Sequence, residues 1–205
     1  MAIYKSARKI RAFTILVLMT ITLFSLPVST PATATVDCRS MLCNNLLQSS
    51  QVPSTWRFEE IGDSNFPNPF CPSTSSKTSR WKTAAADDFH NLNSMISEVL
   101  LQYANASSAY TNLVAHYAKC VVAQGNIKTM LPIRFRHFGD SSAAWLALGY
   151  TPYSSPYWHV SSKSSAIAII VRKGSVIMVM TDIAPHKVSV PIMKSLITKA
   201  LSDLP

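Results

Sequence analysis

Hydrophobic residues change period several times along the chain, and each change marks an expected element. The most apolar stretch beyond the N-terminus is residues 165–181, SAIAIIVRKGSVIMVMT, two β-branched runs around a basic centre. Each arm, 166–172 and 175–181, is about seven residues, too short for a membrane-crossing helix. One continuous helix would instead put Arg172 and Lys173 at mid-bilayer. Two strands joined at Lys173-Gly174, where glycine supplies the positive φ of a tight turn, fit the pattern. They are expected to be adjacent central strands of an antiparallel sheet, covered on at least one face.

Residues 83–92, TAAADDFHNL, read as a helix opening, with Thr83 as cap and Asp87 and Asp88 early in the helix. Residues 95–104, MISEVLLQYA, suit a strand through Met95, Val99, Leu101 and Tyr103, with a continued helix as the competing reading. Residues 105–125 predict a helix capped by Asn105 or Ser107 and closed by Gly125. Its apolar face comprises Ala106, Ala109, Tyr110, Leu113, Val114, Tyr117 and Val121, with Cys120 near the buried side and His116 and Lys119 in solvent.

The C-terminal half reads as strands: 131–139, where Ile133, Phe135 and His137 alternate with Arg134, Arg136 and Phe138; then 142–151; then a short one at 157–162. Residues 190–204 form an amphipathic helix with Pro191 in the first turn and Ile192, Met193, Leu196, Ile197, Ala200, Leu201 and Leu204 on its apolar face. Residues 59–82, rich in proline, serine and threonine, read as loop. Before them, Leu46, Leu47 and Val52 suggest a short helix or turn stopped by Pro53.

The N-terminus changes the picture of where this fold resides. Lys5, Arg8, Lys9 and Arg11 precede an uncharged run at 12–28, and Ala32-Thr33-Ala34 has the small-x-small form of a signal-peptidase site. The expectation is a signal peptide at 1–34 and one domain at 35–205; an uncleaved anchor is the alternative. Asp37 before Cys38 argues against lipidation. Four of the basic residues lie in the signal, so the formal charge falls from +9 to +5. The remaining cations are scattered along the sequence, which disfavours nucleic acid as a partner. Charged residues are 14% of the chain against a usual ~25%, and Ser, Thr and Asn carry much of the polarity, as suits an exported protein.

Cys38, Cys43, Cys71 and Cys120 make an even set beyond a signal peptide, which reads as two disulfides in one of three pairings. Zinc is the competing reading, and there is no C-x2-C pair to favour it. His90, His116, His137, His159 and His186 show no metal spacing, so no metal and no cofactor are expected. A Ser–His137–Asp140 triad lacks a G-x-S-x-G elbow, and Asp140 after Gly139 reads better as a turn residue bonding nearby N–H groups. Arg172 and Lys173 read as a solvated turn. The most suggestive local composition is residues 145–160, WLALGYTPYSSPYWHV. Trp145 is expected in the core. Tyr153, Tyr157, Trp158 and His159, stiffened by two prolines, are the candidate ligand-binding residues, because amphipathic aromatics give contact area at small entropy cost.

Taken in order, STW (54–56), Cys71, a strand ending at Tyr103, an Ala-rich helix ending at Cys120, FGDSSAAW (138–145), IIVRKGSVIMVM (169–180) and a terminal helix resemble the PknH-like extracellular sensor domain of actinobacteria over residues 40–204. The resemblance implies an α+β fold, an antiparallel sheet with helices packed mainly on one face and a cleft for a ligand. It also implies the disulfides Cys71–Cys120 and, with it, Cys38–Cys43. Within residues 1–205 no kinase, no internal transmembrane helix and no lipobox cysteine are expected, a departure from that pattern. The expected function is a secreted or envelope-located, non-enzymatic ligand-binding domain of the sensor type. Its partner would be a small molecule, a lipid or glycan fragment, or an exported protein, with membrane contact only if the N-terminal segment stays uncleaved. The alternatives are a cell-surface structural or protein-interaction domain and a hydrolase with dispersed catalytic residues.

On the implied pairing, closing the longer loop is worth about 4 kcal/mol and the short one about 2 kcal/mol in the chain-entropy model. Cys120→Ala is expected to abolish secretion of folded protein while Cys43→Ala lowers its melting temperature only moderately; equal yields and equal melting would contradict the pairing.

Overall fold

The computed structural model describes residues 41–61, 81–91, 94–154 and 159–205, all within one unit, Ala34–Pro205. Its frame is a seven-stranded sheet in the order β1-β2-β3-β9-β8-β5-β4, antiparallel at every joint. The strands are β1 (Arg57–Ile61), β2 (Thr83–Asn91), β3 (Ser94–Gln102), β4 (Ile127–Ile133), β5 (Ser141–Tyr150), β8 (Ser165–Lys173) and β9 (Val176–Ala184). A separate two-stranded ribbon, β6 (Tyr153–Ser154) with β7 (His159–Val160), lies between β5 and β8 in the chain. Among the described residues, two α-helices, α1 (Ala106–Ala123) and α2 (Val190–Asp203), and a short 3-10 helix (Met41–Asn45) accompany the sheet. Among the described residues no helix is long and apolar enough to cross a membrane.

The expected hairpin is the centre of this sheet. β8 and β9 pair along their whole length and turn through Gly174-Ser175, one residue beyond the expected Lys173-Gly174, with Gly174 at φ 56°. Their side chains are buried on both faces. Ile167, Ile169, Val171, Met178 and Met180 face α2 and the 3-10 helix, with Ile96 and Leu100 of β3 beside them. Ala168, Ile170, Ile177 and Val179 face α1, with Val99, Leu101 and Trp145. The two helices therefore cover opposite faces, and the expectation of helices mainly on one face is corrected. A strand pair apolar on both sides needs two covers, since each exposed Val, Ile or Met would forfeit about 1.5–3 kcal/mol.

α1 matches its expected limits. Asn105 caps it by accepting the Ser108 N–H at 3.1 Å, and Gly125 ends it at φ 80°. Its ring partner across the interface is Trp145, whose centroid lies 5.2 Å from that of Tyr117. α2 starts with Pro191 in its first turn and sets Met193, Leu196, Ile197 and Ala200 on the sheet. Ile192, expected on that face, is 42% exposed; it sits about 100° round the helix from Met193. Lys173 closes the other end, its Nζ donating to the Leu201 carbonyl at 3.0 Å and to that of Leu204, where cations complement the helix dipole.

Three further expectations change. Residues 83–91 form strand β2 rather than a helix, because β1 and β3 take up its backbone hydrogen bonds on both sides and this pairing overrides the local helix-start signal. Residues 95–102 are strand, as the first reading of that segment had it. The strand placed at 131–139 lies earlier, at Ile127–Ile133, and the arginine-rich segment after it is irregular. Pro132 is accommodated because β4 is an edge strand. The loop expected from residue 59 begins later, since β1 runs to Ile61.

Cys43 and Cys120 are each disulfide-bonded, and no described cysteine is free. Cys43 sits in the core on the α2 side, while Cys120 belongs to α1 on the other face. The sheet separates them, so they are not joined to each other. Cys38 and Cys71 lie outside the described residues, as does the expected signal peptide.

Asp140 has the structural role expected of it. Its Oδ2 accepts the Gly174 N–H at 2.9 Å and lies 3.4 Å from the Arg172 guanidinium, while its own N–H donates to the Arg172 carbonyl at 2.8 Å. The preceding Gly139, at φ 56°, comes so close to Arg172 that an added Cβ would lie 2.4 Å from that carbonyl oxygen. Gly139→Ala is therefore expected to cost at least about 2 kcal/mol in urea unfolding, from backbone strain plus collision. Gly125→Ala, whose Cβ would meet nothing within 4 Å, should cost about 1 kcal/mol. Equal losses would contradict the clamp.

Candidate functional site

The ribbon that carries the candidate binding residues is anchored at both ends. At its start, Thr151 ties the end of β5 to the turn after α1. Its N–H donates to the Asn126 carbonyl at 2.9 Å and its hydroxyl to that of Gly125 at 3.0 Å. At its end, Ser161 and Ser164 form a closed turn: the Ser161 N–H donates to Ser164 Oγ, and the Ser164 N–H to the Ser161 carbonyl, both at 3.0 Å. Ser165 Oγ then donates to the His186 carbonyl at 2.8 Å. Between these anchors Tyr153 pairs with Val160 and Ser154 with His159. The structure thus brings Tyr153 and His159 into one ribbon. Tyr157 and Trp158 lie outside the described residues. Trp145 is in the core as expected.

The groups considered for hydrolysis are not assembled. Asp140 is committed to the β8–β9 turn, and His137 is exposed in the irregular segment after β4. Among the described residues no three His, Cys, Asp or Glu side chains are placed to hold a metal ion.

The structure reveals instead a row of carboxylates that the sequence reading did not single out. Glu60 of β1 pairs with Asp87 of β2, and Asp87 with Glu98 of β3, so three acids stand in register across adjacent strands. Asp87 is 1% exposed and Glu98 0%. Both belong to the face covered by the 3-10 helix and α2, which also buries Asp182 of β9. Glu98 Oε2 accepts the Leu47 N–H at 2.8 Å, fixing the chain just after the 3-10 helix to the sheet. Glu98 Oε1 and both Asp87 oxygens have no hydrogen-bond partner among the described residues.

Like charges directly opposite one another across strands repel, and burial in an apolar core penalises each charge further. Burial, then the charges of Glu98 and Asp88, pushes Asp87 up to about 9. Burial raises Glu98 to about 8, opposed by the Leu47 hydrogen bond and assisted by Asp203 of α2. Burial alone lifts Asp182 to about 7. At neutral pH the Asp87–Glu98 pair is therefore held neutral as acids in the core. One sequence signal pointed there: in MISEVLLQ, Glu98 has the same parity as Ile96 and Leu100, so a strand puts it on their apolar face.

The sign of the linkage follows from these upward shifts. Between about pH 4 and pH 9 the unfolded chain has lost protons that the folded core retains, so stability falls as pH rises through that window. A loss of a few kcal/mol in unfolding free energy from acid to alkaline conditions is expected. Asp87→Asn should flatten the slope and make the protein more stable than wild type at the alkaline end. A wild-type profile that rises with pH in denaturant titrations would contradict the neutral pair.

No known protein-family model matches the chain, and no curated protein matches it either.

Proposed function

We propose that this chain is an exported, non-enzymatic ligand-binding domain of the sensor type, working outside the cytoplasm in the cell envelope or the medium. The observation that carries the reading is the β6–β7 ribbon. β5 and β8 pair directly up to Leu148 and Ser165, so the sheet is complete without the chain between them. That chain is nevertheless anchored at both ends and concentrates Tyr153, Tyr157, Trp158 and His159 around two prolines. An aromatic excursion that the frame does not need is suited to contact, since it offers amphipathic area at low entropy cost. The export reading comes from residues 1–34. The resemblance of residues 40–204 to the PknH-like sensor domain points the same way, with the ligand a small molecule or a lipid or glycan fragment.

Cys71–Cys120 and Cys38–Cys43 remain the proposed disulfides. Peptide mapping without reduction distinguishes them from Cys43–Cys71 with Cys38–Cys120. For ligand binding, native mass spectrometry of mature protein recovered from secreting cells should show a discrete added mass that denaturation removes. The Tyr157→Ala/Trp158→Ala variant should lose that mass while melting within a few degrees of wild type. A variant that is destabilised yet keeps the added mass would sink the assignment.

A further inference from the structure

The β4 edge of the sheet carries a second surface, built from residues of β4, β5 and the segment after β4. On the face beneath α2, β8 and β9 are covered by the helix and β2–β3 by the 3-10 helix, whereas the outer strands β5 and β4 are left partly open. Leu131 is 46% and Leu148 37% exposed, two of the three exposed large hydrophobic residues among those described. They lie on the same face: Leu131 pairs with Leu146, and Thr129 pairs with Leu148. Half-buried Ile133, Phe135 and Leu146 extend the patch inward.

Its rim is cationic. Lys194 of α2 holds its ammonium 5.7 Å from the Phe135 ring, and Arg136 holds its guanidinium 5.7 Å from that of Phe138. Exposed Arg134 stands just beyond the edge strand, whereas Lys128 belongs to the other face of β4, its side chain lying over Gly149. The sequence contains no acid between Glu98 and Asp140, and Asp140 is bound to the β8–β9 turn. Arg136 and Lys194, distant in the sequence, are thus brought by the fold beside this apolar patch, with no acid placed there among the described residues.

We propose that this β4–β5 edge docks on an anionic lipid surface, the leucines entering the headgroup–acyl boundary and the lysines and arginines contacting lipid phosphates. Long basic side chains suit that boundary because their stems cover apolar surface while their heads stay with the anions. A second copy of the chain is the poorer complement. Pairing β4 with β4 would bring Lys128, Arg134 and Arg136 of both copies together and place Pro132, which lacks an N–H, at the joint. The inference goes beyond the ligand reading and does not depend on the ribbon.

The test uses mature protein, its cleaved N-terminus verified by mass, and sedimentation with phosphatidylcholine vesicles with and without phosphatidylglycerol. Binding should require the anionic lipid and weaken with salt. Leu131→Ser/Leu148→Ser should reduce it about tenfold, and Arg136→Gln/Lys194→Gln should also reduce it. Lys82→Gln/Lys119→Gln, which removes the same charge just before β2 and on α1, should leave it near wild type. The proposal is overturned if anionic vesicles bind nothing or if the leucine variant binds unchanged. It is equally overturned if the two charge variants lose binding alike, or if the patch proves to form a dimer that the leucine variant dissolves.

Discussion

The β8–β9 hairpin is apolar on both faces, and the rest of the fold follows from the need to cover it twice. α1 answers one face with Tyr117 against Trp145; α2 and the 3-10 helix answer the other with Met193, Leu196, Ile197 and Leu42. The flanking strands extend the sheet until its edges reach water. Asp140 and Gly139 fix the turn end of the hairpin, and Lys173 ties that same end to the last carbonyls of α2. Sheet, turn and terminal helix are therefore parts of one packing unit.

Within this unit the carboxyl groups of Asp87, Glu98 and Asp182 stand in a largely apolar interior. Breaking a buried polar contact leaves an orphaned group, so Glu98 makes the position of the 3-10 helix depend on its state through the single Leu47 hydrogen bond. With Asp203 and Asp182 also on this side of the sheet, ionisation there would add repulsion between carboxylates. The core is consequently most stable in acid, the reverse of proteins held by carboxylate salt bridges.

How much was legible in the sequence depended on whether the signal was local. The hairpin was, because β-branched runs flank a glycine; so were α1, with its Asn105 cap and Gly125 stop, and α2, with Pro191. The segment at 83–91 was not. Its alanines and paired aspartates resemble a helix start, and only pairing with β1 and β3, set by residues far off in the chain, makes it a strand. The placement of helices on both faces was also non-local, although the continuous apolar character of β8 and β9 already implied two covers. Of the candidate site, the aromatic composition was visible; its placement in a ribbon separate from the sheet was not. The basic, leucine-bearing edge was hidden altogether, since Arg136 and Lys194 come beside the leucine patch only through the fold.

The account's central claim is that the sheet and its two covers form a complete frame, and that recognition belongs to the chain carried between β5 and β8. Replacing residues 153–160 by a short glycine–serine turn tests it most directly, with thermal unfolding and bound mass measured on the same preparation. The account predicts cooperative unfolding within a few degrees of wild type and complete loss of the bound species. A replaced chain that fails to fold would show the ribbon to be part of the frame, and one that folds and still carries its ligand would place recognition elsewhere.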